Sequence, residues 1–251
     1  MAERAELLTI AEFAAGRAGA ALKAHRAEWS GVESEQGREV KVDADKRAEA
    51  LIIDVLRKLA PYPIVTEEAG WLDESAGTDR LWAVDPLDGS VNYIQGFPQC
   101  AVSVALIEGG KPVLGVVDCF LMGERYAGAV GHGAWRDGAV IKPSVTTDPA
   151  RGVLNTGIPA RARTDSAAMD VLVTNMLAWR KVRMIGSAAV ALAYVADGRA
   201  DAYRESGSMI WDVAGGCALV AAAGGFVEIG GADFHAPLEV TATNGRLPAP
   251  K

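Results

Sequence analysis

The sequence has few of the residues that form disulfide scaffolds, zinc sites or histidine-based active sites. Its 251 residues include three cysteines and three histidines. Cys100, Cys119 and Cys217 are far apart and lie in apolar stretches, so they lack the spacing of a zinc knuckle and the density of a disulfide framework. We therefore expect buried free thiols, which are typical of a reducing compartment.

The chain also lacks an excess of positive charge and a long apolar run. Its 25 lysines and arginines are outnumbered by 32 acidic residues, for a net charge of −7, whereas proteins that bind nucleic acid usually present a basic face. The charge-free stretch Val213–Val227 contains four glycines and is shorter than the roughly 20 residues of a membrane span. The first residues show no signal-peptide pattern. These absences predict a cytoplasmic protein with no nucleic acid or membrane partner.

What the chain does contain predicts a layered α/β fold. Half of the residues are hydrophobic and 23% are charged, which is typical of a globular protein with a substantial core. Helical periodicity over 5–26 and 43–59 precedes a predicted hairpin of strands 100–107 and 112–119, and a loop-rich stretch follows at about 143–166. Strands and helices alternate after that stretch. We expect a single domain over residues 1–251, with sub-layers of about 1–142 and 143–251.

The most informative segment, residues 85–90, reads Asp-Pro-Leu-Asp-Gly-Ser and follows an apolar strand. Pro86 and Gly89 predict a tight path that leaves the strand, after which Ser90 can begin a helix. Two carboxylates on such a turn, together with the Leu87 carbonyl, are oxygen ligands that hard divalent cations prefer. Backbone amides at the helix start would suit a phosphate. The alternative is an ordinary Asp-Gly turn.

Two other acidic features favour the metal hypothesis. Glu67 or Glu68 directly follows the predicted strand 64–66, and Asp212 lies at a predicted helix N-terminus with small residues behind it. The alternatives are a solvated acidic loop for the first and a simple N-cap for the second. Three carboxylate clusters at element ends, in a chain with few histidines, indicate a magnesium site built from oxygen ligands.

These motifs resemble the inositol monophosphatase-like family of magnesium-dependent, lithium-sensitive phosphatases. The resemblance runs from about Val42 to Asn244 and rests on the order of several blocks. The blocks are 85–90 with Asn92-Tyr93, Gly131-His132-Gly133-Ala134, Gly186-Ser187-Ala188-Ala189, and Trp211-Asp212-Val213-Ala214-Gly215-Gly216. The resemblance implies an α-β-α-β-α layered sandwich, two or three magnesium ions per subunit and a homodimer.

The resemblance also implies a role for each matching residue. The implied metal ligands are Glu67, Asp85, the Leu87 carbonyl, Asp88 and Asp212. Glu67, Ser90 and Asp45 would orient and deprotonate the attacking water. The implied substrate contacts are Gly89, Ser90, Gly186, Ser187, Ala188, Glu205 and Asp212. The segment Ser30–Val40 matches poorly, so a third-metal role for Glu35 or Glu39 stays open beside the alternative of exposed loop acids.

The expected activity is hydrolysis of a small phosphate monoester by metal-activated water, with no covalent phosphoenzyme. Inositol 1-phosphate is the leading substrate, because the Glu205 carboxylate suits substrate hydroxyls. Histidinol phosphate, fructose 1,6-bisphosphate and a 3′,5′-nucleotide bisphosphate are the alternatives. Arg204 either binds a second anion or is a surface residue. An alternative of another class is a non-catalytic, metal-dependent regulatory subunit.

Overall fold

A computed structural model describes residues 2–36, 39–73, 78–231 and 233–249. The α-helices of these ranges are α1 (Ala2–Ala24), α2 (Arg26–Trp29), α3 (Asp43–Leu59), α4 (Ser90–Gln95), α5 (Ser166–Leu177), α6 (Ala188–Ala196) and α7 (Ile210–Ala223). Among these helices, none is long and apolar enough to cross a membrane.

The strands of the first half are β1 (Val32–Gln36), β2 (Glu39–Val42), β3 (Ile64–Thr66), β4 (Gly70–Leu72), β5 (Arg80–Asp88), β6 (Ala101–Glu108), β7 (Lys111–Cys119), β8 (Glu124–Ala129), β9 (Gly133–Arg136) and β10 (Ala139–Val140). The strands of the second half are β11 (Val153–Thr156), β12 (Lys181–Met184), β13 (Ala202–Ser208), β14 (Phe226–Gly230) and β15 (Leu238–Thr243). β1 pairs with β2, and the others form an eight-stranded sheet of order β10-β9-β8-β7-β6-β5-β3-β4 and a five-stranded sheet of order β12-β11-β13-β15-β14.

The layers follow the order α-β-α-β-α, which confirms the predicted sandwich. Helices α1 and α3 pack on one face of the eight-stranded sheet, and α6 and α7 fill the space between the two sheets. Helix α5 borders a cavity over β11 and β13. The core around α6 and α7 includes buried side chains of both sheets, which supports the single domain over 1–251; that assignment stays a prediction.

Several predicted elements are confirmed with small shifts in their ends. The hairpin is formed by β6 and β7, and α3 ends at Leu59 before Pro61. The Asp45 carboxylate caps α3 by accepting a hydrogen bond from the Val42 amide at 2.8 Å. The three cysteines are buried and free, as expected.

Two expectations about secondary structure are wrong. Strand β5 continues through Pro86 to Asp88, although the sequence predicted a path that leaves the strand. The proline is tolerated because β3 pairs with β5 only as far as Val84, and the register with β6 shifts between Asp85 and Asp88. The loop-rich stretch 143–166 contains β11, whose four residues show too short a pattern to reveal a strand.

Glycines bring α7 close to the eight-stranded sheet. A Cβ atom at Gly115 on β7 would overlap the carbonyl oxygen of Gly215 on α7, and a Cβ at Gly215 would overlap the Ser103 hydroxyl on β6. Because the obstacle at Gly115 is the backbone of Gly215, a side chain at Gly115 cannot be accommodated by a rotamer change. The close approach therefore fixes the position of α7 on the sheet.

We predict that Gly115→Ala lowers the free energy of unfolding by about 1–3 kcal/mol through overpacking. Thermal unfolding would show a loss of roughly 2–4 °C per kcal/mol for a chain of this size. Gly31→Ala is the control, because a Cβ there meets nothing within 4 Å. An unchanged unfolding temperature for Gly115→Ala would contradict the close packing.

Candidate active site

The predicted site residues other than Asp45 meet in one cleft of about 370 Å³ between the two sheets. The cleft is formed by the turn after β3, the end of β5, the start of α4, the loop before α6, strand β13 and the start of α7. The predicted residues that line it are Glu67, Asp85, Leu87, Asp88, Gly89, Ser90, Gly186, Ser187, Ala188, Glu205 and Asp212.

Asp45 lies behind the cleft and reaches it through Ser90. The Ser90 hydroxyl lies 3.2 Å from Asp45 Oδ1 and 3.0 Å from the Leu87 carbonyl oxygen. Both partners only accept hydrogen bonds, so the hydroxyl proton is directed towards them. The lone pairs of the Ser90 oxygen are then available to a donor in the cleft, such as a water molecule.

Asp85 and Asp88 both extend from the end of β5 but face different partners. Asp85 is buried, and its Oδ1 accepts a hydrogen bond from the Leu87 amide at 3.0 Å. Asp88 reaches across to the N-terminus of α6, where it accepts from the Ser187 hydroxyl at 2.5 Å and the Ala189 amide at 2.7 Å. Asp88 thus joins the eight-stranded sheet to the middle helical layer.

Two glycines let the chain segments on either side of this contact approach each other. Gly89 and Gly186 have φ angles of 89° and 77°, a region that disfavours other residues. A Cβ at Gly89 would lie 3.1 Å from the Gly186 carbonyl oxygen. Glycine at position 89 therefore allows the start of α4 and the loop before α6 to lie close together in the cleft.

Asn92 holds the same junction and was given no role in the sequence analysis. Its Nδ2 donates to the Gln99 carbonyl at 2.7 Å and to the Ile185 carbonyl at 2.8 Å. It thereby ties α4 to the loop that precedes α6. Its place beside the motif 85–90 was the only signal in the sequence, since both partners are backbone atoms.

Glu205 and Asp212 form the opposite side of the cleft. Asp212 lies in the first turn of α7, where its Oδ2 accepts from the Met209 amide at 2.7 Å. Glu205 Oε2 lies 3.2 Å from the Ser208 hydroxyl, and a Cβ at Gly157 would overlap the Glu205 carboxylate.

Arg204 points away from this cleft. Its Nη1 donates to Thr241 Oγ1 at 3.1 Å, and the side chain lines the neighbouring cavity beside α5. The segment 157–161 lines the cleft instead and brings the exposed Arg161 there. The segment carries no functional motif in the sequence, where it falls in the loop-rich stretch 143–166.

Burial and mutual repulsion raise the pKa values of the clustered acids. Burial raises the pKa of Asp85 well above its usual range, and the charges of Glu67, Asp88, Asp212 and Asp45 raise it further. Hydrogen bonds from the backbone stabilise the charged forms of Asp88 and Asp212 and so oppose the rise in their pKa values. Burial raises the pKa of Asp88 to about 6, against the effect of its bonds to α6, and that of Asp212 to about 7.

The donor chemistry of the cleft fits magnesium. In the described part of the chain, no three acidic, histidine or cysteine side chains are arranged to enclose one cation by themselves. Magnesium does not require such a cage, because it usually keeps several waters and binds through one or two carboxylates and substrate phosphate. The cleft offers carboxylates and a carbonyl, and cations would relieve the repulsion that raises the pKa values.

The acids Glu35 and Glu39 lie on strands, whereas the alternative to a metal role was an exposed loop. Strands β1 and β2, which carry them, pair with each other in antiparallel orientation. The side chains of both residues are outside the described part of the structure. A third-metal role for either one stays a prediction.

The chain is similar to known proteins in sequence and in structure. Residues 3–246 match the sequence model described as the inositol monophosphatase family. The chain is 42% identical over 195 residues to a Xylella fastidiosa protein named Nus factor SuhB, which covers 76% of this chain and 70% of that protein. It is 38% identical over 187 residues to inositol-1-monophosphatase of Mesorhizobium japonicum. That alignment covers 74% of this chain and 70% of the relative. The solved structure of inositol monophosphatase from Anabaena is similar, with a TM-score of 0.81 and 35% sequence identity. The match covers 96% of this chain and 91% of that chain.

We predict that the metal-free protein loses stability as the pH rises from about 5 to 8. Aspartate titrates near 3.9 in an unfolded chain, whereas the pKa values of Asp88 and Asp212 are about 6 and about 7 in the folded protein. The folded state therefore binds more protons over this interval, and the free energy of unfolding falls as they are released.

Chemical denaturation at several pH values, with a chelator present, measures this slope. Asp85→Asn is the matched variant, because it removes one buried charge, and it should reduce the slope and raise the stability at pH 8. A metal-free protein whose stability increases over the interval would contradict the repulsion between the acids.

Proposed function

Because the chain belongs to the inositol monophosphatase family, we propose that it is a magnesium-dependent phosphomonoesterase that hydrolyses a small polyhydroxylated alcohol phosphate. The observation that supports this most directly is the convergence of Glu67, Asp85, Asp88 and Asp212 with Gly89 and Ser90 in one cleft. Mutually repelling buried acids are costly. A protein without metal chemistry has no physical need of such a cluster.

In this proposal the metal ligands are Glu67, Asp85, the Leu87 carbonyl, Asp88 and Asp212. Bound magnesium supplies positive charge to the phosphate and lowers the pKa of water. Glu67 would accept a proton from the attacking water. The Ser90 hydroxyl donates to Asp45, so the Ser90 oxygen can orient that water by accepting a hydrogen bond from it. The Gly89 and Ser90 amides receive the phosphate. As the bond from phosphorus to the water oxygen forms, the ester P–O bond would break on the side of Asp212 and Glu205. The leaving oxygen would take up the proton that the water lost, so one water is consumed for each alcohol and phosphate released.

We propose inositol 1-phosphate as the leading substrate, since Glu205 lies where substrate hydroxyls are expected. An ionised carboxylate only accepts hydrogen bonds, so it binds hydroxyls and repels a second phosphate. Burial raises the pKa of Glu205 to about 7, which weakens that repulsion below neutral pH. Gly186, Ser187 and Ala188 would contact the same part of the substrate.

A second candidate function comes from the names of similar proteins. Several relatives carry the name Nus factor SuhB, so a Nus-factor role, with or without phosphatase activity, is the alternative. The net charge of −7 favours the expectation that the chain itself does not bind nucleic acid. A non-catalytic role would require that the carboxylate cluster serve binding alone.

Three further properties belong to the same proposal. We propose a homodimer, which agrees with exposed apolar side chains on α5 and β12, among them Val171, Leu177 and Met184. The three free, buried cysteines suit a cytoplasmic location. Lithium sensitivity is expected from the family and stays a prediction.

We predict that the protein releases phosphate from inositol 1-phosphate only when magnesium is present, and that Asp85→Asn lowers kcat by several orders of magnitude. The variant removes negative charge from the centre of the proposed ligand set, and with it stabilisation of the transition state. Asp54→Asn is the control, because Asp54 is a half-exposed acid outside the cleft that pairs with Lys58 and Arg17. Near-normal turnover of Asp85→Asn at saturating magnesium would contradict the site assignment.

We also predict that kcat/KM is higher for inositol 1-phosphate than for histidinol phosphate, fructose 1,6-bisphosphate or adenosine 3′,5′-bisphosphate. Arg161→Ala should lower the remaining activity on the two bisphosphates, because Arg161 lines the cleft. Arg204→Ala should leave the ratios unchanged. The inositol assignment would be wrong if a bisphosphate were preferred tenfold or more, and the placement of the two arginines would be wrong if Arg204→Ala removed that preference.

A further inference from the structure

Helix α3 presents two buried carboxylates towards the site, and only one of them had been assigned a role. Asp45 and Glu49 are four residues apart, so they lie on the same face of the helix, one turn from each other. Their relative exposures are 1% and 7%. Asp45 contacts Ser90, whereas Glu49 contacts the turn after β3.

Glu49 holds the turn that carries Glu67. Its Oε1 lies 2.7 Å from the Thr66 hydroxyl, 3.2 Å from the Glu68 amide and 3.1 Å from the Ala69 amide. The contacts therefore reach the residue on each side of Glu67. A carboxylate suits this position because it only accepts, and its charge strengthens the bonds it receives from hydroxyl and amide donors.

These contacts connect the two halves of the proposed water-binding apparatus. The Ser90 hydroxyl is held by Asp45, and the backbone on either side of Glu67 is held by Glu49, one helical turn away on α3. Helix α3 therefore connects Ser90 and Glu67 in addition to the pairing of β3 with β5, the strands that precede them. Without the Glu49 carboxylate, the turn that carries Glu67 would lose these three hydrogen bonds to α3.

We propose that Glu49 is a positioning residue that fixes Glu67 relative to the Asp45–Ser90 pair and so controls magnesium affinity and turnover. The inference rests on the proposed function, because it assigns Glu67 to metal and water binding. Glu49 does not line the cleft, so it acts through the 66–69 turn. Residues that orient metal ligands typically change metal affinity or activity by about 10–100-fold when they are removed.

The chain offers a matched control in Asp201. This carboxylate is also 7% exposed, and it accepts from the Ser144 hydroxyl at 2.5 Å and from the Val153 amide at 2.6 Å. It is absent from the lining of the cleft. Loss of either carboxylate leaves buried donors without a partner, so both variants should be destabilised.

The test measures magnesium affinity by isothermal titration calorimetry, together with kcat and KM for inositol 1-phosphate and the unfolding temperature. For Glu49→Ala we expect magnesium affinity about 10–100-fold weaker and a lower kcat, with little change in KM. Glu49→Gln keeps a carbonyl oxygen at the same reach and should recover most of both losses. Asp201→Ala should lower the unfolding temperature while magnesium affinity and kcat stay at the wild-type values.

The inference would be overturned if Glu49→Ala bound magnesium and turned over like the wild type, or if Asp201→Ala lost affinity and kcat to the same extent. Should Glu49→Ala fail to fold, Thr66→Val decides, because it removes one of the three donors to Glu49. A weaker magnesium affinity of that variant supports the role of Glu49, and an unchanged one overturns it. A wild-type protein that binds no magnesium would instead contradict the proposed function itself.

Discussion

Repulsion between buried carboxylates is the constraint on which the cleft depends. Asp85 is buried, and four other acids raise its pKa in addition to the effect of burial. Such an arrangement costs free energy unless the acids are protonated or neutralised by cations. Backbone amides relieve part of the cost, since Asp85, Asp88 and Asp212 each accept a hydrogen bond from one. The rest of the cost is what bound magnesium would offset.

The residues around the cleft also connect the eight-stranded sheet to the middle helical layer. Asp88 extends from the eight-stranded sheet and receives hydrogen bonds from the start of α6. Asn92 binds the carbonyl of Ile185 in the loop before that helix. Gly115 lets α7, and Asp212 with it, approach the sheet closely. A change in the packing of the middle layer would therefore move the functional groups, so stability and function are coupled at this junction.

Local sequence patterns predicted the parts of the site that lie within single elements. The family resemblance, which the family match confirms, rests on 85–90 and on the start of α7, where functional groups and turn residues are adjacent in the chain. The contacts of Asp88 with residues about 100 positions later, and of Glu49 with the 66–69 turn, have no local signature. The path through Pro86 was mispredicted because the pairing of β3 with β5 ends at Val84 and the register with β6 shifts after Asp85. Both features are set by the tertiary fold and leave no local signal in the sequence.

Calorimetric measurement of proton release during magnesium binding tests the central claim most directly. The metal-free protein is titrated with magnesium at pH 6 and at pH 8.5 in buffers of different ionisation enthalpy. Because the pKa values of Asp88 and Asp212 are raised to about 6 and about 7, magnesium should displace protons at pH 6 and far fewer at pH 8.5. Binding with no proton release at pH 6 would contradict the account of repelling acids that a cation neutralises, and so would an absence of binding at both pH values.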